Sequence, residues 1–123
     1  VEADTLEEAF LEAGKTVVEN TLDITSVEEK KEKTINVKGK ELRHLLLNWL
    51  EEINFLLITE GFAIRRFSLE LHKNEEYEIN STAYGEDIDL QKHHFKVEIK
   101  APTFHMMEIK QDGKIIMRFL LDL

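Results

Sequence analysis

The chain has 123 residues, 42% hydrophobic and 33% charged, which describes one soluble globular domain with enough chain to close a sizeable core. It contains no cysteine, which excludes disulfides and thiolate chemistry and fits a cytoplasmic home. No apolar run approaches the ~20 residues that span a bilayer, and no export signal opens the chain. Its 25 acidic residues against 16 basic ones give a net charge of −9. Nucleic-acid affinity comes chiefly from cationic neutralisation of phosphates, so tight direct RNA or DNA binding is not expected. Docking onto a basic protein is favoured instead, because opposite potentials speed encounter.

Asp4-Thr5 opens a first helix, with Thr5 and Glu8 spaced as a capping box. Leu6, Ala9, Phe10, Ala13 and Val17 follow as one apolar stripe at helical period, fading near Asn20. Gly14 inside this helix weakens it unless something packs close there. The mixed charges from Glu28 to Lys33 predict a solvated loop or edge, and Ile35 and Val37 a short strand ending at Gly39. A long helix is predicted from about Lys40 to Thr59, with Leu42, Leu45, Leu46, Trp49, Leu50, Ile53, Leu56 and Leu57 on its main stripe and Gly61 as its stop. Leu47, Phe55 and Ile58 fall off that stripe. A helix buried on two sides needs such residues, whether an element of its own chain or a partner covers the second side.

Beyond Gly61 the period changes to two. Phe67, Leu69 and Leu71 alternate outward to a turn at 73–76, and Tyr77, Ile79, Ser81 and Ala83 alternate back toward Gly85 as an antiparallel hairpin. Phe95, Val97 and Ile99 predict one face of a further strand, with Lys96, Glu98 and Lys100 on the other. Met106 to Lys110 and Lys114 to Leu121 predict a second hairpin joined at Asp112-Gly113. The fold class is α+β: two helices packed with a largely antiparallel sheet in a single domain.

The chemistry-bearing residues are few. His93 and His94 are adjacent, so on a strand they point to opposite faces and mark a surface edge better than a metal site. His105 reads equally as a buried imidazole or a ligand. Glu86, Asp87 and Asp89 lack the glycine and distal glutamate of a calcium loop and are read as solvated. Glu98 and Lys100 make either an exposed ion pair or the rim of a charged site. The apolar run from Ile115 stops on Asp122, beside the terminal carboxylate of Leu123. That end is either a strand reaching water or two hard-oxygen donors for Ca²⁺, Mg²⁺ or Mn²⁺. No phosphate-binding glycine loop, nucleophile elbow or zinc-protease helix is present.

Taken in order, several segments resemble the archease family, whose fold is similar to other SHS2-type modules. They are Thr5 through Phe10; Leu45 through Phe62; Ala83-Tyr84-Gly85-Glu86; Lys92-His93 with Glu98 through Glu108; and the ending Leu121-Asp122-Leu123. The resemblance implies an accessory protein, not an enzyme, that activates an RtcB-type RNA ligase in tRNA splicing by promoting its guanylylation and turnover. It implies a divalent cation, Ca²⁺ foremost, held by Asp122 and Leu123 together with an Asp from a His-Thr-Ala-Asp segment. That segment is expected just before Val1, and Asp4, next to the helix cap, does not replace it. Without it, the chain is expected to bind metal weakly. His93, Glu98 and Lys100 are the candidates for contributing to ligase activation. Pro102 departs from the family pattern by removing a backbone donor from the strand. Two rival classes are a small metal-dependent hydrolase or transferase using Asp122, Glu98 and His105, and a metal-free structural adaptor.

Overall fold

A computed structural model describes residues 1–96, 98–99 and 101–122, with the side chains of 101, 103–106 and 122 outside that description. The elements run β1 (Glu2–Ala3), α1 (Leu6–Thr21), β2 (Lys31–Gly39), α2 (Leu42–Asn54), a π-helical turn (Phe55–Thr59), β3 (Phe62–Lys73), β4 (Tyr77–Asp87), β5 (Ala101–Asp112) and β6 (Lys114–Asp122). The strands divide into two three-stranded antiparallel sheets, ordered β1-β6-β5 and β2-β4-β3, rather than forming one.

The Thr5 side chain accepts the Glu8 N–H at 3.2 Å, so half of the capping box is made. The α1 stripe of Ala9, Phe10, Ala13 and Val17 is buried. Gly14 is where the helices meet: a Cβ there would stand 2.8 Å from Ile53 Cδ1 and 3.2 Å from the Trp49 indole nitrogen. Trp49 is fully buried and donates its indole N–H to the Phe10 carbonyl at 2.8 Å, which satisfies its one polar atom inside the core. Its ring lies 5.2 Å from that of Phe67.

The second helix touches α1, β2 and β4 of one sheet, and β5 of the other. That explains part of the second stripe, since Leu47 and Ile58 pack against the core from their own chain. Phe55 does not follow; it remains 44% exposed. The predicted helix also changes character before its end. After Asn54 the pattern widens to a π turn, closed by the Glu60 N–H on the Phe55 carbonyl, and Gly61 then leaves it at φ 61°.

The first predicted hairpin is present, with Leu69 opposite Ser81 and Leu71 opposite Ile79. At its far end Gly85 lies so close to β3 that a Cβ would overlap the Ala63 carbonyl oxygen. The second hairpin turns at Gly113 (φ 75°) and begins earlier than predicted, at Ala101, with an irregular register between Thr103 and Glu108.

The predicted strand through Phe95, Lys96, Glu98 and Ile99 is not formed; Val97 and Lys100 lie outside the described residues. Local alternation was correct, but the backbone bonds go elsewhere. His94 takes a left-handed conformation (φ 49°), the Phe95 N–H returns to the Leu90 carbonyl, and the Lys96 N–H reaches the Thr21 carbonyl at 2.7 Å. Lys96 Nζ donates to the Glu19 carbonyl as well. One lysine thus serves two of the last carbonyls of α1, with its charge at the negative end of the helix.

Candidate functional site

Two polar clusters stand out, and they differ in kind. The first lies where β4 ends. Glu86 is only 7% exposed, covered by the segment leading into β2 and by the turn over residues 89–93. One of its oxygens accepts from the Glu28 N–H at 2.8 Å, Lys92 Nζ at 2.9 Å and His93 Nε2 at 3.0 Å; the other accepts from Lys92 at 3.1 Å. These donors favour the ionised carboxylate, and its pKa falls from 4.5 to about 2, with the Glu28 N–H the largest cause, then Lys92 and His93. The same bond to Glu86 raises the pKa of Lys92.

His93 is fully buried. Its Nδ1 accepts the Asp89 N–H at 2.9 Å, so the ring proton sits on Nε2 and is donated to Glu86. Asp89 accepts the N–H groups of Lys92 and Gln91, which tighten the turn and lower its pKa in that order. Two expectations are corrected here. His93 belongs to a buried turn rather than a surface strand edge, and Glu86 is enclosed rather than solvated, whereas Asp87 and Asp89 are exposed. Part of the enclosure, the Glu28 N–H and the Lys30 ammonium, comes from far away in sequence, which no local pattern announces.

The second cluster gathers where α2 gives way to the π turn. Asn54 is nine-tenths buried and donates Nδ2–H to the Ile99 carbonyl at 2.7 Å, clamping the segment before β5 onto the helix. Glu98, next to that clamp, is exposed. β5 then starts with Ala101 paired to Asp122 and Pro102 to Leu121, with Pro102 buried. The chain therefore brings the end of β6 alongside the residues that follow Glu98 and Lys100, while His93 belongs to the other cluster. Lys100, Leu123 and the side chains of Asp122 and His105 lie outside the described residues. Among the described residues no three His, Asp or Glu side chains stand together as an ion site.

β1 is tied to β6: Val1 and Met117 exchange hydrogen bonds, and Glu2 pairs with Ile116 antiparallel.

Asn54 was missed by sequence reading. The signal was present: a polar side chain four residues after Leu50 and one after Ile53, on the buried side of the helix.

The model of the Archease protein family (MTH1598/TM1083) matches residues 1–123. The chain belongs to the archease family. It is 42% identical to the Pyrobaculum islandicum protein archease over 96% of this chain and 82% of that one. It is 36% identical to the Methanopyrus kandleri protein archease over 98% of this chain and 88% of that one. In three dimensions it is similar to the solution structure of Methanobacterium thermoautotrophicum protein 1598, with a TM-score of 0.83 and 34% identity, covering 100% of this chain and 89% of that one. This archease fold is α+β, two helices against antiparallel sheets, as expected. Among the described residues no helix is long and apolar enough to cross a membrane.

Proposed function

We propose that this chain is a cytoplasmic, non-enzymatic accessory protein of an RtcB-type tRNA-splicing RNA ligase, promoting its guanylylation and turnover. The observation that supports this most is the match to the archease family from the first residue to the last. The net charge of −9 agrees with a protein that meets a basic protein surface and leaves RNA phosphates to its partner.

In this reading Asp122 and Leu123 hold a divalent cation. Oxygen-only ligation favours Ca²⁺, with Mg²⁺ and Mn²⁺ as alternatives, over softer metals. β1 pairs with β6, the strand that ends at Asp122. A cation there would fix a positive charge beside that strand end. Glu98, exposed beside the Asn54 clamp, and Lys100 are assigned to contact with the ligase. His93 has no exposed surface and acts as a positioning residue, holding the turn over residues 89–93 onto Glu86.

The test is to add the purified protein to an RtcB-type ligase with GTP and Mn²⁺ and to count ligations per ligase molecule. Turnover rising from about one to many supports the proposal. An unchanged count contradicts it.

A further inference from the structure

Arg65 and Arg66 are consecutive residues of β3, and in a regular strand consecutive side chains point to opposite faces. Here both line one cleft. The cause is a bulge. Ile64 stands opposite Gly85 and Arg66 opposite Tyr84, so Arg65 is an extra residue with no counterpart on β4. Gly85 permits the close approach, because a side chain there would overlap the Ala63 carbonyl oxygen. The extra residue lets Ile64 stay buried while Phe67, three positions on, still packs against Trp49. Bulges re-aim side chains in this way and recur beside functional sites.

The cleft has a volume of about 340 Å³ and lies between α1, the 3₁₀ turn at Ile24–Ser26 and β3. Leu11, Ile24 and Phe67 give it half-buried apolar walls. Lys15 stands on the helix side and the two arginines on the strand side. Each guanidinium is anchored. Arg65 Nη1 donates to the Ile24 carbonyl at 3.2 Å, and Arg66 Nε donates to both oxygens of Glu29 at 2.9 and 3.0 Å. The Arg66 guanidinium also lies 4.0 Å from the centre of the Tyr84 ring. The Nη2 groups of both arginines find no protein acceptor among the described residues. Only Glu12 and Glu29 oppose the three cations, which leaves one positive charge here in a chain whose net charge is −9.

We propose that this cleft binds a small monocarboxylate with an apolar body. The carboxylate accepts from the arginine forks, whose paired donors match its two oxygens. The apolar body covers Leu11, Ile24 and Phe67, the division of roles usual in a small-molecule site. A single negative charge balances the one unmatched cation. A phosphomonoester brings about −1.5 to −2 at neutral pH and would face Glu12 and Glu29 with charge in excess. RNA adds repulsion from the acidic surface as a whole. The C-terminal carboxylate of a peptide ending in an apolar residue presents the same chemistry as a free acid, and the two sources are separable by experiment. The cleft contains none of the residues assigned to metal or ligase contact, so the assignment goes beyond the ligase reading and stands without it.

The probe is 4-methylpentanoate, titrated into the ¹⁵N-labelled protein and followed by NMR at the Ile24, Arg65 and Arg66 backbone amides and the arginine Nε–H signals. Saturable shifts are expected, with a dissociation constant on the order of millimolar, the scale of a few contacts. Arg65→Gln and Lys15→Gln should each weaken binding about two- to fivefold, as expected for exposed ionic contacts. Lys15 sits on an exposed helix face, so its variant keeps the test valid if Arg65→Gln disturbs the bulge. Arg118→Gln, in the other sheet and outside the cleft, should leave binding unchanged. Equal binding of 4-methylpentanamide or of acetate overturns the proposal, as does equal weakening by Arg118→Gln. So does tighter binding of 3-methylbutyl phosphate, or the same shifts caused by a uridine hexanucleotide. Acetyl-Ala-Ala-Leu with a free carboxyl end, binding more tightly than 4-methylpentanoate while its amide fails, supports the site and makes a peptide end the source. Weaker binding of that peptide supports the site and makes a free acid the source. Failed ligase activation with carboxylate binding intact removes the ligase reading alone, and activation without carboxylate binding removes the cleft alone.

Discussion

The Glu86 cluster and the end of α2 both place acidic and amide groups against the core, yet one is closed and the other open. Glu86 receives hydrogen bonds from four donor contacts on three residues, and the His93 ring is committed at both nitrogens. At the end of α2, Asn54 bonds the Ile99 carbonyl and finds no donor for its oxygen among the described residues, Glu98 faces water and Phe55 is uncovered. A buried charge held by this many donors is tied to the fold. An unmet buried acceptor, by contrast, costs the free protein stability.

Trp49 supports both regions, because α2 carries Asn54 and packs on the sheet that ends in Glu86. Trp49→Ala should cost ~3–5 kcal/mol, the range for a fully buried large side chain replaced by a cavity. Chemical denaturation showing a loss under about 1 kcal/mol would mean that the helix does not form the common core described here.

Glu86→Gln sharpens the contrast next. The change keeps the shape but removes the charge that Lys92, His93 and the Glu28 N–H surround, and should cost about 1–3 kcal/mol near neutral pH. Its pH dependence is more specific. The folded-state pKa of Glu86 is depressed, so its contribution is complete above the ordinary value of 4.5 and is lost as pH falls toward about 2. The wild-type protein should lose stability through that window, while Glu86→Gln loses less. Parallel denaturation curves for the two proteins between those pH values would show that the carboxylate is not held as described.

Asp122→Ala should have the smallest effect on stability, since the residue closes the last strand pair. In calorimetry with Ca²⁺, Asp122→Ala should lose the binding that the unaltered chain shows. Undiminished binding by the variant contradicts the assignment of Asp122.

Most of the scaffold was legible because its signals are local. Thr5 caps α1, the 3.6-residue stripes pick out the buried faces of both helices, Gly61 ends the second, and period-two alternation marks both hairpins. What was not legible depends on distant partners. Phe95 and Ile99 alternate like strand residues, but their segment is held by Thr21, Leu90 and Asn54 instead of a neighbouring strand. Glu86 reads as a loop acid until residue 28 arrives from another part of the chain. The pairing of Asp122 with Ala101 likewise depends on the register of β5 on β6, which the irregularity between Thr103 and Glu108 hides from pattern counting.

The measurement that bears most directly on the difference between the two regions is multiple-turnover ligation by an RtcB-type ligase, with GTP and Mn²⁺, at a temperature where every variant is folded. Glu86→Gln should still stimulate turnover despite its lower stability, because the closed cluster serves only the fold. Asp122→Ala should be folded and fail to stimulate. Stimulation by Asp122→Ala equal to wild type, with loss in a folded Glu86→Gln protein, would place the functional centre in the cluster that this account assigns to structure.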